Sequence, residues 1–229
     1  MSSNLAIVTT ALVSILFASI GILYSKRKNF NIEDFLVARG SASTPVTTAT
    51  ISASVIGAWV LFSPAEAGTW AGLTSLIGYG IGQASPLICF AILGPRLKNL
   101  IPEGHSILEY AWHRYGKYTY LICALVTISY LFVFLTAELT AISSALNEIS
   151  DVPLIITAIV IGGFTAIYTA YGGMRASIIT DSIQFTLIVP LVVIIFVALL
   201  SNLGGITDSI NVVTQNRPEL LSLSHGPGI

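Results

Sequence analysis

Residues 40–68 read GSASTPVTTATISASVIGAWVLFSPAEAG, an apolar stretch crowded with small and hydroxyl side chains: Ser41, Ser43, Thr44, Thr47, Thr48, Thr50, Ser52 and Ser54. A helix that only fills lipid is rich in Leu and Ile. This one carries Gly57 near its middle and Pro64 seven residues on. Both weaken the helical ladder, and a freed carbonyl in hydrocarbon is tolerated only where it is buried or faces a polar cavity. One reading predicts an unwound turn over 53–57, with backbone oxygens aimed at a cation and half-helix dipoles adding to the field. The other is that small and hydroxyl residues let neighbouring helices pack closely.

The composition supports a membrane setting for this stretch. The 229 residues hold ten Lys+Arg and eleven Asp+Glu, 9% charged, against 54% hydrophobic, and the mean hydropathy is +0.85. A soluble chain runs near ~25% charged. An ordinary cytosolic enzyme, a nucleic-acid binder and a disordered regulator are excluded on that ground. Cys89 and Cys123 lie inside apolar runs, so they form neither a disulfide framework nor a zinc site. The expected fold class is all-α, a polytopic membrane protein.

A hydrocarbon core of ~30 Å needs ~20 helical residues. Six stretches meet that length and predict six transmembrane helices: 4–24, 44–65, 73–94, 118–146, 153–171 and 177–200. The first is no secretory signal, because Lys26-Arg27-Lys28 follows the apolar run and no base precedes it. A retained anchor with an extracytoplasmic amino terminus is expected. That orientation puts Lys26, Arg27, Lys28, Arg39, Arg96, Lys98, Arg114, Lys117 and Arg175 inside and only Arg217 outside, as the positive-inside bias requires.

The inside loop at 95–117 holds Pro102 and Gly104, then Ser106 with Glu109 three residues on, a capping-box spacing. An amphipathic helix over about 107–114 is expected along the inner interface, with Tyr110 and Trp112 at headgroup depth. Residues 201–229 read as a polar, loosely ordered extracytoplasmic tail without a further span. Gly78, Gly80 and Gly82 read as packing residues.

Acids within or beside spans are the candidate chemistry, since an acid at mid-bilayer costs ~2.5–3.5 kcal/mol and normally faces a bundle interior or water. Ser177, Asp181 and Gln184 share one helix face, with Thr180 beside them, and suit a path for a hard cation. The alternative for Asp181 is a helix-start carboxylate held by the dipole. Glu138 lies deeper, as a structural bond to another helix or as a substrate or proton contact. Glu66 sits near the outer surface. His105, His113 and His225 make no metal-site spacing, and no nucleophile elbow or catalytic carboxylate pair is visible. No enzyme is expected.

These residues carry a family likeness. Tyr168-Thr-Ala-Tyr-Gly172-Gly173-Met-Arg-Ala176-Ser-Ile-Ile-Thr180-Asp181-Ser-Ile-Gln184 resembles the GG-x-x-A-x-x-x-TD-x-x-Q signature of the sodium:solute symporter family. Asp34-Phe-Leu-Val-Ala-Arg39 is similar to the segment ahead of that family's first core helix, and Ile101-Pro-Glu-Gly104-His-Ser-Ile-Leu-Glu109-Tyr to its first large inside loop. The resemblance implies a LeuT-type fold of two inverted five-helix repeats behind one extra amino-terminal helix. Spans two to six are then the first repeat. It also implies a sodium ion on the carbonyls of Ala53 and Ile56, an ion path past Asp181, and solute contacts at Ser54, Gly57, Trp59 and Glu138. Val55 stands where proline-transporting members carry an acid, which argues against proline as the solute. Sodium-coupled transport of a small organic solute across the cell membrane follows. The family completes its cation site with second-repeat hydroxyls, so an amino-terminal half needing a second half or second copy is expected. The other class of reading is a non-transporting membrane component.

Overall fold

The computed structural model describes residues 2–26 and 32–223. Arg27, Lys28 and His225 lie outside the described residues. The elements are α1 (Ser3–Lys26), α2 (Ile32–Leu36), α3 (Thr44–Val55), a 3-10 turn (Ala58–Leu61), α4 (Ser63–Leu100), α5 (Ile107–Tyr115), α6 (Lys117–Ser150), α7 (Leu154–Asn202), α8 (Ile206–Asn216) and a 3-10 turn (Pro218–Leu221). The described residues form helices and turns alone.

Among the described residues four helical stretches are long and apolar enough to cross a membrane: Ser3–Ser25, Ala58–Leu100, Lys117–Ser150 and Leu154–Asn202. Six separate spans were expected, and the difference lies in how the helices are joined. The stretch 44–65 is interrupted after Val55, and expected spans five and six run together as α7. At 1.5 Å per residue an unbroken α7 would reach ~70 Å, more than twice a hydrocarbon core. Gly173, at φ 58° and ψ −155°, breaks it. Ala71 and Gly72 (φ 56°) break α4 in the same way. Large apolar side chains stand uncovered along these helices, with Ile122 and Phe132 at 66% and 70% exposure. Lipid is the solvent that suits such a surface.

The chain forms two compact units, Met1–Trp59 with Thr127–Val189, and Val60–Val126 with Pro190–Ile229. In the first, α1 meets α7 through small residues. A Cβ on Gly21 would touch the Tyr168 ring at 3.2 Å, and Ala18, Tyr168 and Ala176 form the buried cluster with Ile22 and Phe164 against it. Ser25 Oγ donates to Gly21 O at 2.8 Å. Hydroxyls join α3 to α7: Thr50 Oγ1 donates to Ile178 O at 3.1 Å and lies 3.2 Å from Ser182 Oγ. Part of the hydroxyl crowding in 44–55 is thus packing, as the second reading held. Close approach without hydrocarbon-driven association needs such small and hydrogen-bonding contacts. Over the α7 break lies α2: Arg175 Nη2 pairs with Asp34 Oδ1 at 2.5 Å, and Phe35 covers Gly173.

In the second unit, α5 starts at Ser106, whose Oγ accepts from Glu109 N–H at 3.4 Å, and extends one residue beyond the expected 107–114. Trp112 packs edge-on to Tyr120, with ring centres 5.2 Å apart. The expectation of a loosely ordered tail is corrected by α8 and the following 3-10 turn. Arg217 Nη1 donates to Thr69 O at 3.2 Å, Thr74 Oγ1 donates to Ser222 O at 3.2 Å, and the Leu220 carbonyl sits against Gly72 where no Cβ fits. Around Gly78, Gly80 and Gly82 no atom lies within 4 Å of a would-be Cβ, so among the described residues the packing expected there has no partner.

Two outcomes are expected from these contacts. Gly173→Ala should lower the thermal unfolding midpoint of the detergent-solubilised chain by several degrees. Its Cβ would lie 2.6 Å from the Phe35 carbonyl, at a positive φ that costs L-residues roughly 1–2 kcal/mol. The Glu109 carboxylate accepts the His105 amide at 2.9 Å, which holds it below the ordinary 4.5. A depressed acid contributes in full above 4.5 and loses that contribution as pH falls through its lowered value. Exchange protection of the His105 amide should therefore fall on acidification below 4.5, and Glu109→Gln should flatten that dependence.

Candidate functional site

The site begins where α3 stops. Its last rung runs from Ile56 N–H to Ser52 O at 2.8 Å, and Ile56 itself leaves helical geometry at φ −91°, ψ 83°. A continuing helix would give Gly57 N–H to Ala53 O and Ala58 N–H to Ser54 O. The chain does neither. Ala58 N–H donates instead to Glu138 Oε2 on α6, at 2.9 Å. The carbonyls of Ala53 and Ser54 are therefore released from their helical donors, at the turn predicted from Gly57 and one residue later than the centre of 53–57.

Gly57 makes this closure possible, because a Cβ there would run into the Glu138 carboxyl group. The carboxylate is used on one side only. Oε2 takes the Ala58 amide, while Oε1 is buried and has no hydrogen-bond partner. The structural bond to another segment, one of the two readings of Glu138, is present, and it leaves half of the carboxylate uncommitted. Ser54 is exposed, with Oγ donating back to Thr50 O at 2.9 Å. Trp59 is half-buried in the 3-10 turn that follows the break.

The candidate path residues are arranged differently from one another. Asp181 is half-buried, and among the described residues its carboxylate has no hydrogen-bond partner. It lies two turns beyond Gly173, and dipole stabilisation fades within the first turn of a helix, so the helix-start reading of this acid is weakened. Thr180 is fully buried and its Oγ1 shares a hydrogen between Ala176 O at 3.1 Å and Ser177 O at 3.0 Å. It is packed against its own helix. Ser177 Oγ reaches Gly173 O at 3.5 Å. Gln184 lines a cavity of about 430 Å³ with Thr10, Ser14, Thr165 and Tyr168. Asp181 is not among that cavity's walls. What brings the Asp181 turn beside α3 is the Thr50–Ser182 contact, one helical turn before Ala53 and Ser54.

Sequence reasoning missed the partners. Nothing local announces that the Ala58 amide and Glu138 meet, or that Asp34 and Arg175 pair across 141 residues. The available signal was weak: an acid in an apolar helix needs a polar neighbour, and a broken helix needs an acceptor.

Comparison with known proteins gives the chain its kinship. The model of the sodium:solute symporter family matches residues 35–227. The spermidine transporter DUR31 of Candida albicans is 33% identical over 162 residues, covering 71% of this chain and 31% of that protein. The urea active transporter of Saccharomyces cerevisiae is 24% identical over 160 residues, 68% of this chain and 22% of the relative. The sodium/pantothenate symporter of Haemophilus influenzae is 26% identical over 183 residues, 70% and 37% of the two chains. The chain thus spans about a third or less of the first two relatives' length. No solved structure matches it. With its long apolar helices it is a multi-pass membrane protein, and it belongs to the sodium:solute symporter family.

Proposed function

We propose that this chain takes part in sodium-coupled symport of a small organic solute across the cell membrane. The observation that carries this is the interruption at Ile56 and Gly57, which frees main-chain oxygens in the middle of an apolar segment inside the family match. In this reading sodium rests on the Ala53 and Ile56 carbonyls, in place of part of its water shell. Solute binds beside it, near Ser54, Gly57, Trp59 and Glu138. Both leave towards the cytoplasm past Asp181, with Ser177 and Gln184 as polar neighbours. A charge crossing ~100 mV contributes ~2.3 kcal/mol to the coupling, before its concentration gradient.

The same reading makes α1 the extra amino-terminal helix and the later spans the first five-helix repeat of a LeuT-type fold. The breaks at Ala71–Gly72 and Gly173 fall between expected spans, which supports the division. The amino terminus lies outside, on the distribution of Lys and Arg. The solutes in the relatives' names, spermidine, urea and pantothenate, differ in charge, so kinship alone leaves the solute's charge open.

Uptake driven by an imposed sodium gradient, in proteoliposomes holding the protein, tests the proposal. Sodium-dependent accumulation is expected; solute binding without flux would point to the non-transporting component. Asp181→Asn should raise the sodium concentration for half-maximal uptake severalfold while leaving membrane insertion intact. An unchanged sodium response would remove Asp181 from the path. Gly57→Leu should abolish solute binding, since the side chain displaces the Glu138 carboxylate, and full retention would argue against the site at the break.

A further inference from the structure

The first unit holds a cavity of about 430 Å³ whose walls include no residue of the Ile56–Gly57 break. α1 lines it with Thr10, Val13, Ser14 and Phe17. α7 lines it with Ile161, Phe164, Thr165 and Tyr168, at the same i, i+3, i+4, i+7 spacing that puts four residues on one helix face. Each stripe is roughly 10 Å long, and Leu146 of α6 and Gln184 of α7 stand beside them. The two helices are held together at one end, where Gly21 meets the Tyr168 ring and Ser25 Oγ lies 3.5 Å from Gly172 O. Thr10 and Phe17 are both well inside α1 (Ser3–Lys26), so the cavity lies within the hydrocarbon depth of the helix.

Among the described residues no Asp, Glu, Lys, Arg or His stands in its walls. A charged occupant would lie there without a counter-charge, which is costly, so an uncharged one fits. Tyr168 is only 8% exposed and Gln184 is half-buried, yet among the described residues neither side chain has a hydrogen-bond partner. Their polar ends are not sealed off either, and both residues border the open space. Thr10, Ser14 and Thr165 can return to a carbonyl one turn back on their own helix; a phenol and a Gln amide have no such recourse. Helical side chains lean towards the amino end of their helix. Tyr168, before the Gly173 corner, leans away from it, and Gln184, farther beyond it, leans back towards it, so the two converge along the cavity. One alcohol group between them accepts from one and donates to the other.

The rest of the wall asks for an apolar body, supplied as it is by Val13, Phe17, Leu146, Ile161 and Phe164. Leu12, Val13 and Leu16 are exposed on the same helix, so entry is from the hydrocarbon. A flexible chain loses rotamer freedom when it fills a fixed slot, whereas fused rings arrive already ordered. The rings of Phe17 and Phe164 offer flat apolar area to such a body.

We propose that this cavity binds a sterol-class lipid, rigid and uncharged, with its single hydroxyl held between Tyr168 and Gln184. The bound lipid fastens α1 to α7 along the stretch where the two helices stand apart. It is a resident of the first unit and not a transported solute, so the proposal is independent of the cation site at the break.

Binding of radiolabelled cholesterol to the detergent-solubilised full chain tests this without any need for flux. The competitors are 5α-cholestane, which lacks the hydroxyl, and hexadecan-1-ol, which carries one on a flexible chain. Saturable sterol binding is expected, with both competitors about tenfold weaker than unlabelled cholesterol. Tyr168→Phe and Gln184→Met each remove a hydrogen-bonding group and keep the bulk. Each should weaken sterol binding about tenfold, the scale of one buried hydrogen bond, with helix content and elution volume unchanged. Ser14→Phe should fill the cavity and abolish binding; a folded Ser14→Phe chain that binds as before would put the sterol elsewhere and overturn the proposal. No saturable binding to the unaltered chain would overturn it too, as would equal affinity in Tyr168→Phe or in Gln184→Met, or equal displacement by cholestane. Displacement by hexadecan-1-ol at lower concentration than by cholesterol would assign the cavity to a flexible alcohol and overturn it as well.

Discussion

A main-chain amide in hydrocarbon must find an acceptor, and at Ala58 that acceptor is a carboxylate eighty residues further along the chain. Bound to Glu138, the amide does not return to Ser54 O, and that carbonyl stays released from the ladder beyond the point where Ile56 leaves helical geometry. The bond also needs a residue without a side chain at 57, so Gly57 and Glu138 are a single requirement written at two distant positions. Local propensity alone does not unwind a helix in lipid; a glycine there weakens it by ~1 kcal/mol, which neighbouring packing easily overrides.

The contacts that hold this arrangement are small ones. α3 lies on α7 through Thr50 and Ser182, and α1 lies on α7 through Gly21, Ala18 and Ala176. Among the described residues no large apolar core is present: the buried hydrophobic residues are mostly alanines, while Leu, Ile and Phe point outwards. This inversion follows from the solvent. Leu gains little by leaving lipid for protein, whereas backbones that approach closely gain dispersion contact and hydrogen bonds.

Several of these features were legible before any coordinates. Gly57 within an apolar run announced the break, and the pair Gly172-Gly173 announced the corner, where Gly173 does adopt a positive φ. Ser106 and Glu109 announced the start of α5. The hydroxyls of 44–55 were ambiguous for a physical reason: the same Thr serves a ligand or a helix contact, and Thr50 turned out to make the contact. Thr180 reads as a hydroxyl neighbouring Asp181, and its burial places it against its own helix carbonyls. The residues of α8 read as loosely ordered because their polarity is high. Their order comes from α4, through Thr69, Gly72 and Thr74, and no local pattern encodes a dock on a distant kink. Kinship with the family was legible from the ordered motifs, whereas the solute was not.

The corner at Gly173 has a mechanical side. Up to Val189 the non-helical torsions of α7 are confined to one residue, so this stretch is two stiff rods meeting at a corner. Beyond the corner the rod continues to Val189, which at 1.5 Å per residue is roughly 24 Å. Turning it by only 10° would carry its far tip through roughly 4 Å, most of a helical pitch. Phe35 and the Asp34–Arg175 pair sit at the pivot, where their own moment arm is shortest, so holding the long arm still asks for an ion pair and close packing together.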